Sequence, residues 1–221
     1  MKRILIFSTA YVPFIGGAEV AVKEITDRLG ERYEFVMITA RLRTDLPSYE
    51  RIGAIEVHRI GRGHWNDKFF LAMRGAMYAR ALGKFDIVWG VMASYGGLAA
   101  LRYKKCHPFT KFLLTLQEGD SRAHIYARVW WWWPYFTQIF KRADHIQTIS
   151  KYLADWARSM GAKCSVDVVP NGVDTDQFCV PDEALRIEAH RDVRRDLHIS
   201  PDGHLVITIS RLVPKNGTAD L

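Results

Sequence analysis

The chain has 221 residues, 48% hydrophobic and 25% charged, with a net charge of +7 and an isoelectric point near 9.4. That balance excludes a disordered chain and predicts a globular protein of one large domain or one and a half. The surplus of Lys and Arg suits an acidic partner, such as a nucleotide phosphate or an anionic lipid surface. No aromatic RNP pattern or basic zipper region accompanies it, so nucleic acid is not expected as a partner. Cys106, Cys164 and Cys179 are far apart and odd in number, which speaks against a disulfide framework and for a reducing compartment. No run of about 18 apolar residues is present, and the apolar run after Lys2 and Arg3 is too short for a signal peptide. A cytoplasmic protein is expected, with peripheral attachment to the inner face of the membrane left open.

The first stretch organises the rest. Ile4 to Phe7 is a short apolar run, as in a parallel strand covered on both faces. Pro13 lies past its end, and Gly16 and Gly17 follow. From Ala18 the apolar residues take helical spacing at Ala21, Val22, Ile25 and Leu29. Two glycines therefore sit at a helix N-terminus beyond the carboxyl end of a strand, where unpaired N–H groups favour an anion. Either they let a phosphate or sugar approach closely, or they only make a tight turn. The G-x-G-x-x-G and G-x-x-x-x-G-K-[ST] patterns are absent, which disfavours nicotinamide-dependent and P-loop enzymes.

Glu34 to Thr39 predicts a second strand and Ile55 to Ile60 a third strand of alternating character, toward an edge, with His58 on its wet face. A helix is expected from Asp67 to Leu82, its stripe of Phe69, Phe70, Met73, Ala76, Met77 and Arg80 facing the core. Phe85 to Val91 predicts strand four, a helix opens after Ser94 and runs to about Lys104, and Lys111 to Leu116 predicts strand five. Gln117, Glu118, Gly119 and Asp120 follow at the carboxyl end of that strand, where open α/β sheets bind ligands. Asp120 or Ser121 could equally cap the next helix.

Trp130 to Trp133 lie in a helical stretch, and four neighbours about 100° apart cannot all face one core. At least one ring should be exposed or meet a partner, either at an anionic membrane or in a crowded helix that packs on its own domain and on a neighbouring one. His145 to Ile149 predicts strand six, Ser150 caps a helix from Lys151 to Met160, and Val166 to Val169 predicts strand seven. Glu183 to Leu197 is charged and helical in pattern. His204 to Ile209 predicts a fresh buried strand that begins something new. Alternating strands and helices mean an α/β fold, a doubly wound, mainly parallel, Rossmann-like sheet. The expected division is 1–178 as that domain, 179–200 as a charged connector and 201–221 as the truncated start of a second domain.

Four motifs in this order resemble the retaining nucleotide-sugar glycosyltransferases of family four, which have the GT-B fold. They are Pro13-Phe14-Ile15-Gly16-Gly17-Ala18-Glu19; Arg142 to Ser150 running into Lys151 and Tyr152; Val169-Pro170-Asn171-Gly172-Val173-Asp174 with Phe178; and Ser210-Arg211-Leu212-Val213-Pro214-Lys215-Asn216-Gly217. The resemblance implies the N-terminal, acceptor-side half of such an enzyme plus the start of its donor-binding half. It implies transfer from a nucleotide-sugar donor to a lipid-linked or polysaccharide acceptor. Gly16, Gly17 and Asn171 would lie near the donor, and Arg211 and Lys215 would hold its diphosphate. No cofactor is implied, and no metal is expected, since cations can stabilise the leaving group and no Asp-x-Asp triplet occurs. Many relatives carry a His after the fifth strand; here Gln117 takes that place as a hydrogen-bonding group, and Glu118 or Asp120 is the candidate base. A fragment of this kind is expected not to turn over alone. The alternative is a non-catalytic membrane-docking module on the same scaffold.

Overall fold

A computed structural model describes residues 1–180, 182–200 and 203–209. They divide into two compact units, Met1–Asn171 and the described residues from Gly172 onward. In the first, the order is β1 (Lys2–Ser8), α1 (Gly17–Leu29), β2 (Tyr33–Ala40), β3 (Tyr49–Ile52), β4 (Ile55–Ile60), α2 (Asp67–Ala81), β5 (Ile87–Val91), α3 (Tyr95–Cys106) and β6 (Lys111–Leu116). Then come α4 (Arg122–Val129), a 3-10 turn at Trp130–Trp132, α5 (Trp133–Lys141), β7 (His145–Thr148), α6 (Lys151–Ser159) and β8 (Val166–Val168). The eight strands form one sheet in the order β3-β4-β2-β1-β5-β6-β7-β8. All neighbours pair parallel except β3, which pairs antiparallel with β4. This is the doubly wound, Rossmann-like α/β fold that the alternating pattern predicted.

Alternation along β1 sends residues to two cores. Leu5 and Phe7 join Val36 and Ile38 beneath α2, α3, α5 and α6, and Ile4 and Ile6 join Phe35 and Met37 beneath α1. On α1 the buried positions include Ala18, Val22 and Thr26, while Ile25 is 42% exposed. Thr26 tolerates that burial because its hydroxyl donates back to the Val22 carbonyl at 2.8 Å.

Four expectations are corrected. β3 was not anticipated; Tyr49–Ile52 turns back through Gly53, at φ +55, and occupies the sheet edge, so the Ile55–Ile60 strand lies one place inside it. The stripe on α2 faces outward: Phe69, Phe70, Met73 and Met77 are exposed, and the buried face is Leu71, Ala72, Gly75, Ala76 and Ala79. The small face lets α2 lie close to the sheet and to α3, since a Cβ on Gly75 would sit 3.1 Å from the Phe7 ring and 3.4 Å from Ala99. The tryptophan stretch is not one helix. The chain tightens to a 3-10 turn and restarts, because Pro134 has no N–H to continue a helix and sits at the first turn of α5. Trp130 and Trp131 are 73% and 69% exposed, whereas Trp132 and Trp133 pack on Phe136 and Tyr126.

The second unit holds α7 (Glu183–Asp196), capped by the Asp182 carboxylate at 2.8 Å from the Leu185 N–H. The fourth correction lies here. His204–Ile209 forms no strand and leaves Val206 and Ile209 79% and 95% exposed. A strand needs a neighbour for its backbone groups, and none pairs with it among the described residues. The fourth motif, with Arg211 and Lys215, lies outside the described residues. No described helix is long and apolar enough to cross a membrane.

Candidate functional site

Because β1, β5, β6, β7 and β8 run parallel, the loops that follow them open onto one edge of the sheet. The winding reverses at β1, between β2 and β5, which places the topological switch point between the loops after β1 and β5. α1 and α3 begin there. Gly16 and Ser94 are their N-caps, and neither supplies a side-chain cap. Elsewhere Ser121, Ser150 and Asp182 cap α4, α6 and α7, while α2 and α5 also begin without a side-chain cap, and the Glu19 carboxylate lies in the first turn of α1. The two helices at the switch point thus present bare N–H groups and the positive ends of their dipoles to the same edge.

Glycine has two uses here. A Cβ on Gly96 would sit 2.7 Å from the Phe7 carbonyl oxygen, and one on Gly97 would sit 2.6 Å from that of Met92, so both glycines are needed for α3 to start against β1 and β5. Gly17 differs: a Cβ there would meet nothing within 4 Å. The protein itself does not require a glycine at 17, and the space beside it is free for a ligand. Met92, at φ +63, bends the chain between β5 and α3.

Side chains stitch the loops together. Thr9 and Ser94 hydroxyls meet at 3.1 Å across the switch point. The Glu118 carboxylate accepts the Ala93 N–H, joining the loop after β6 to the loop after β5. Asn171 Nδ2 donates to Gln117 Oε1 at 3.1 Å, and Gln147 Nε2 donates to the Val169 carbonyl, drawing in the end of β8. Gln117, Glu118 and Asn171 are therefore gathered in one place, and Gly16 and Gly17 share their edge. Asp120 belongs to the same loop. Ser121, rather than Asp120, caps α4, with its hydroxyl accepting the His124 N–H at 3.3 Å.

Glu118 combines two roles. Its Oε1 pins a loop, but its Oε2 is sealed from solvent without a partner. Burial pushes the carboxyl up to about 7, with Asp120 adding to the rise and the N–H groups of Ala93, Glu118 and Gln117 opposing it. A carboxyl with that affinity can hold or release a proton at neutral pH.

Sequence reasoning missed the residue that fixes the loop after β1. Arg59 is buried on β4, pairs with Glu50 on β3, and donates to the Val12 carbonyl at 2.6 Å. The signal was present: in Ile55-Glu56-Val57-His58-Arg59, the arginine falls on the buried phase of the alternation. Tyr11, in the same loop, is buried, and its hydroxyl pKa is driven up by burial and by Asp27. His58 lies between Tyr78 and Tyr49, away from these loops.

The sequence matches the model for Glycosyltransferase Family 4 over residues 15–177. No curated protein matches it. Among solved structures, sucrose-phosphate synthase from Thermosynechococcus elongatus is similar with a TM-score of 0.63 at 14% identity, over 91% of this chain and 54% of that one. The E. coli trehalose-6-phosphate structure bound with UDP-2-fluoro glucose gives a TM-score of 0.56 at 12% identity, over 86% and 55%. The α,α-trehalose 6-phosphate synthase of Burkholderia multivorans gives 0.55 at 13%, over 89% and 53%. The chain thus spans about half the length of these relatives. With a family match across most of the sheet and a shared GT-B fold, this chain belongs to glycosyltransferase family 4.

Proposed function

We propose that the chain is the acceptor-side half of an enzyme that moves a sugar from a nucleotide-sugar to a lipid-linked or polysaccharide acceptor, with retention at the anomeric carbon. The observation that carries this is the pair of uncapped helix N-termini, α1 and α3, facing one edge at the switch point. As the bond from the anomeric carbon to the diphosphate breaks, negative charge grows on the leaving group. Preorganised N–H donors are worth most at that point, because they need no reorganisation. Arg211 and Lys215 of the fourth motif would add cations, so that no metal is required. A nucleotide-sugar analogue bound to an E. coli protein of the same fold supports the donor class.

On the acceptor side, Gln117, oriented by Asn171, would hydrogen-bond a sugar hydroxyl. Glu118 would take the proton that the acceptor hydroxyl loses as its oxygen bonds to the anomeric carbon, once acceptor binding uncovers the Oε2 that is sealed here. Asp120, two residues further along the same loop, is the other candidate for that proton. Because the chain spans about half of its solved relatives, the 221 residues alone are expected to bind a diphosphate without turnover.

Calorimetric titration with UDP, GDP and inorganic pyrophosphate tests this. Saturable binding that weakens at least tenfold in Gly17→Val is expected. Absence of saturable binding to all three overturns the proposal, and sugar transfer by the 221-residue chain overturns its last part.

A further inference from the structure

The outward face of α2 carries Phe69, Phe70, Met73 and Met77, between 45% and 59% exposed. Such a cluster on a sheet covered by helices on both faces is not needed for packing, because α2 already packs through its small residues. Its surroundings are cationic. α2 adds Lys68, Arg74 and Arg80, and neighbouring α3 adds Arg102 and Lys105. The only carboxylate on α2, α3, α4 and α5 is Asp67, which is buried and accepts the Gly63 and His64 N–H groups. The Arg102 guanidinium lies against Met73, and Lys105 sits 4.4 Å over the Tyr135 ring, so these cations are held beside the apolar cluster. Two shallow clefts of about 380 and 290 Å³ flank α2, one at Arg62 and Phe70, the other between Met77 and Arg102.

At the end of α2 nearest the switch point, aromatic rings continue the surface. Trp65 meets Phe69 at 6.3 Å, Phe69 meets Tyr95 at 5.0 Å, and Lys68 lies 4.3 Å over Trp65. Tyr95 is the first residue of α3, next to Ser94 in the switch-point loop. Apolar and aromatic side chains ringed by Lys and Arg, with no exposed carboxylate among them, match an anionic bilayer: rings and thioethers enter the headgroup boundary while the cations meet lipid phosphates. A second copy of this chain would bring cations against cations. Nucleic acid would leave the Phe and Met side chains without a partner.

We propose that the α2–α3 face docks on the surface of an anionic phospholipid bilayer, with Phe69, Phe70, Met73 and Met77 inserted and Arg74, Arg80, Arg102 and Lys105 on the headgroups. The surface adjoins the switch-point edge through Tyr95, so a bilayer seated there lies beside the proposed acceptor site. This deepens the lipid-linked arm of the proposed function, but the contact itself does not depend on it.

The test is co-sedimentation of the chain with vesicles of phosphatidylcholine alone and of phosphatidylcholine with phosphatidylglycerol, at low and high salt. Binding to the mixed vesicles only, weakened by salt, is expected. Arg74→Glu with Arg102→Glu should lower the partition coefficient at least tenfold, and Met73→Ser with Met77→Ser should also lower it. Arg32→Glu, on the loop before β2, should not. These substitutions are on exposed or half-exposed side chains, and circular dichroism checks that each variant is folded. Failure to bind mixed vesicles overturns the proposal, as does equal binding to neutral vesicles or binding that ignores the α2–α3 variants. Self-association or RNA binding that these variants abolish, with no vesicle binding, also overturns it. Pyrophosphate titration of the same variants separates this from the proposed function, since they leave the switch point untouched.

Discussion

The two ends of the parallel sheet treat polar groups in opposite ways. At the amino end nearly every polar group is answered. Arg3 donates to Glu34 and to the Leu82 and Lys84 carbonyls, and its N–H donates to Asp86. Asp144 accepts the Phe112 N–H at 2.7 Å and pairs with Lys104, which also reaches the Pro108 and Thr110 carbonyls. Among the described residues, the buried side-chain atoms without partners, Tyr11 Oη, Thr39 Oγ1, Glu118 Oε2 and Arg122 Nε, belong to the last residues of β2, to the loops after β1 and β6 and to the start of α4. Buried polar groups are nearly always paired, so exceptions that all fall toward one end ask for an explanation. One end closes the sheet with paired polar groups; the other leaves several buried ones unpaired.

The largest effect expected from breaking this contrast is at α3. Gly96→Ala drives a methyl into the Phe7 carbonyl and should cost about 3 kcal/mol. Urea unfolding would measure the loss, and pyrophosphate binding should fall with it. The two ends should also titrate with opposite sign. Glu118 has a folded pKa raised to about 7, so its contribution is complete below about 4.5 and is lost as pH rises through 7. Unfolding free energy should therefore drop by about 2 kcal/mol over that range, allowing for partial exposure of the residue, and Glu118→Gln should flatten the drop. For Asp144, burial is outweighed by the Lys104 and Phe112 hydrogen bonds and the pKa is lowered, so its contribution is lost as pH falls. Asp144→Ala should cost about 2 kcal/mol at neutral pH by leaving the Phe112 N–H unpaired, and should leave pyrophosphate affinity unchanged. The smallest stability effect sharpens the contrast most. Gly17→Val should alter unfolding by less than about 0.5 kcal/mol, yet weaken pyrophosphate binding at least tenfold, because nothing of the protein fills that space.

Much of this was legible before the structure. β1, β4 and β6 were bounded to within two residues, because apolar runs between turn residues leave few alternatives. The gathering of Gln117, Glu118 and Asn171 followed from strand direction alone, since parallel strands put their exits on one side. What was not legible depends on size and pairing. A stripe of Phe and Met looks like a core, but α2 turned it outward because Gly75, Ala72 and Ala76 allow a closer fit. The short β3 carries no apolar alternation of its own and forms by pairing with β4. The bare caps at Gly16 and Ser94 are not visible in sequence either, as Ser94 is a residue that normally caps and here faces Thr9 instead.

The most direct test of the switch point as a diphosphate site is amide-resolved NMR during titration with inorganic pyrophosphate. The account predicts saturable shifts at Gly17, Ala18, Tyr95, Gly96 and Gly97, with the amides of Arg3, Phe112 and His145 at the other end still. Saturable shifts confined to the amino end, or none at any amide of α1 and α3, would contradict it.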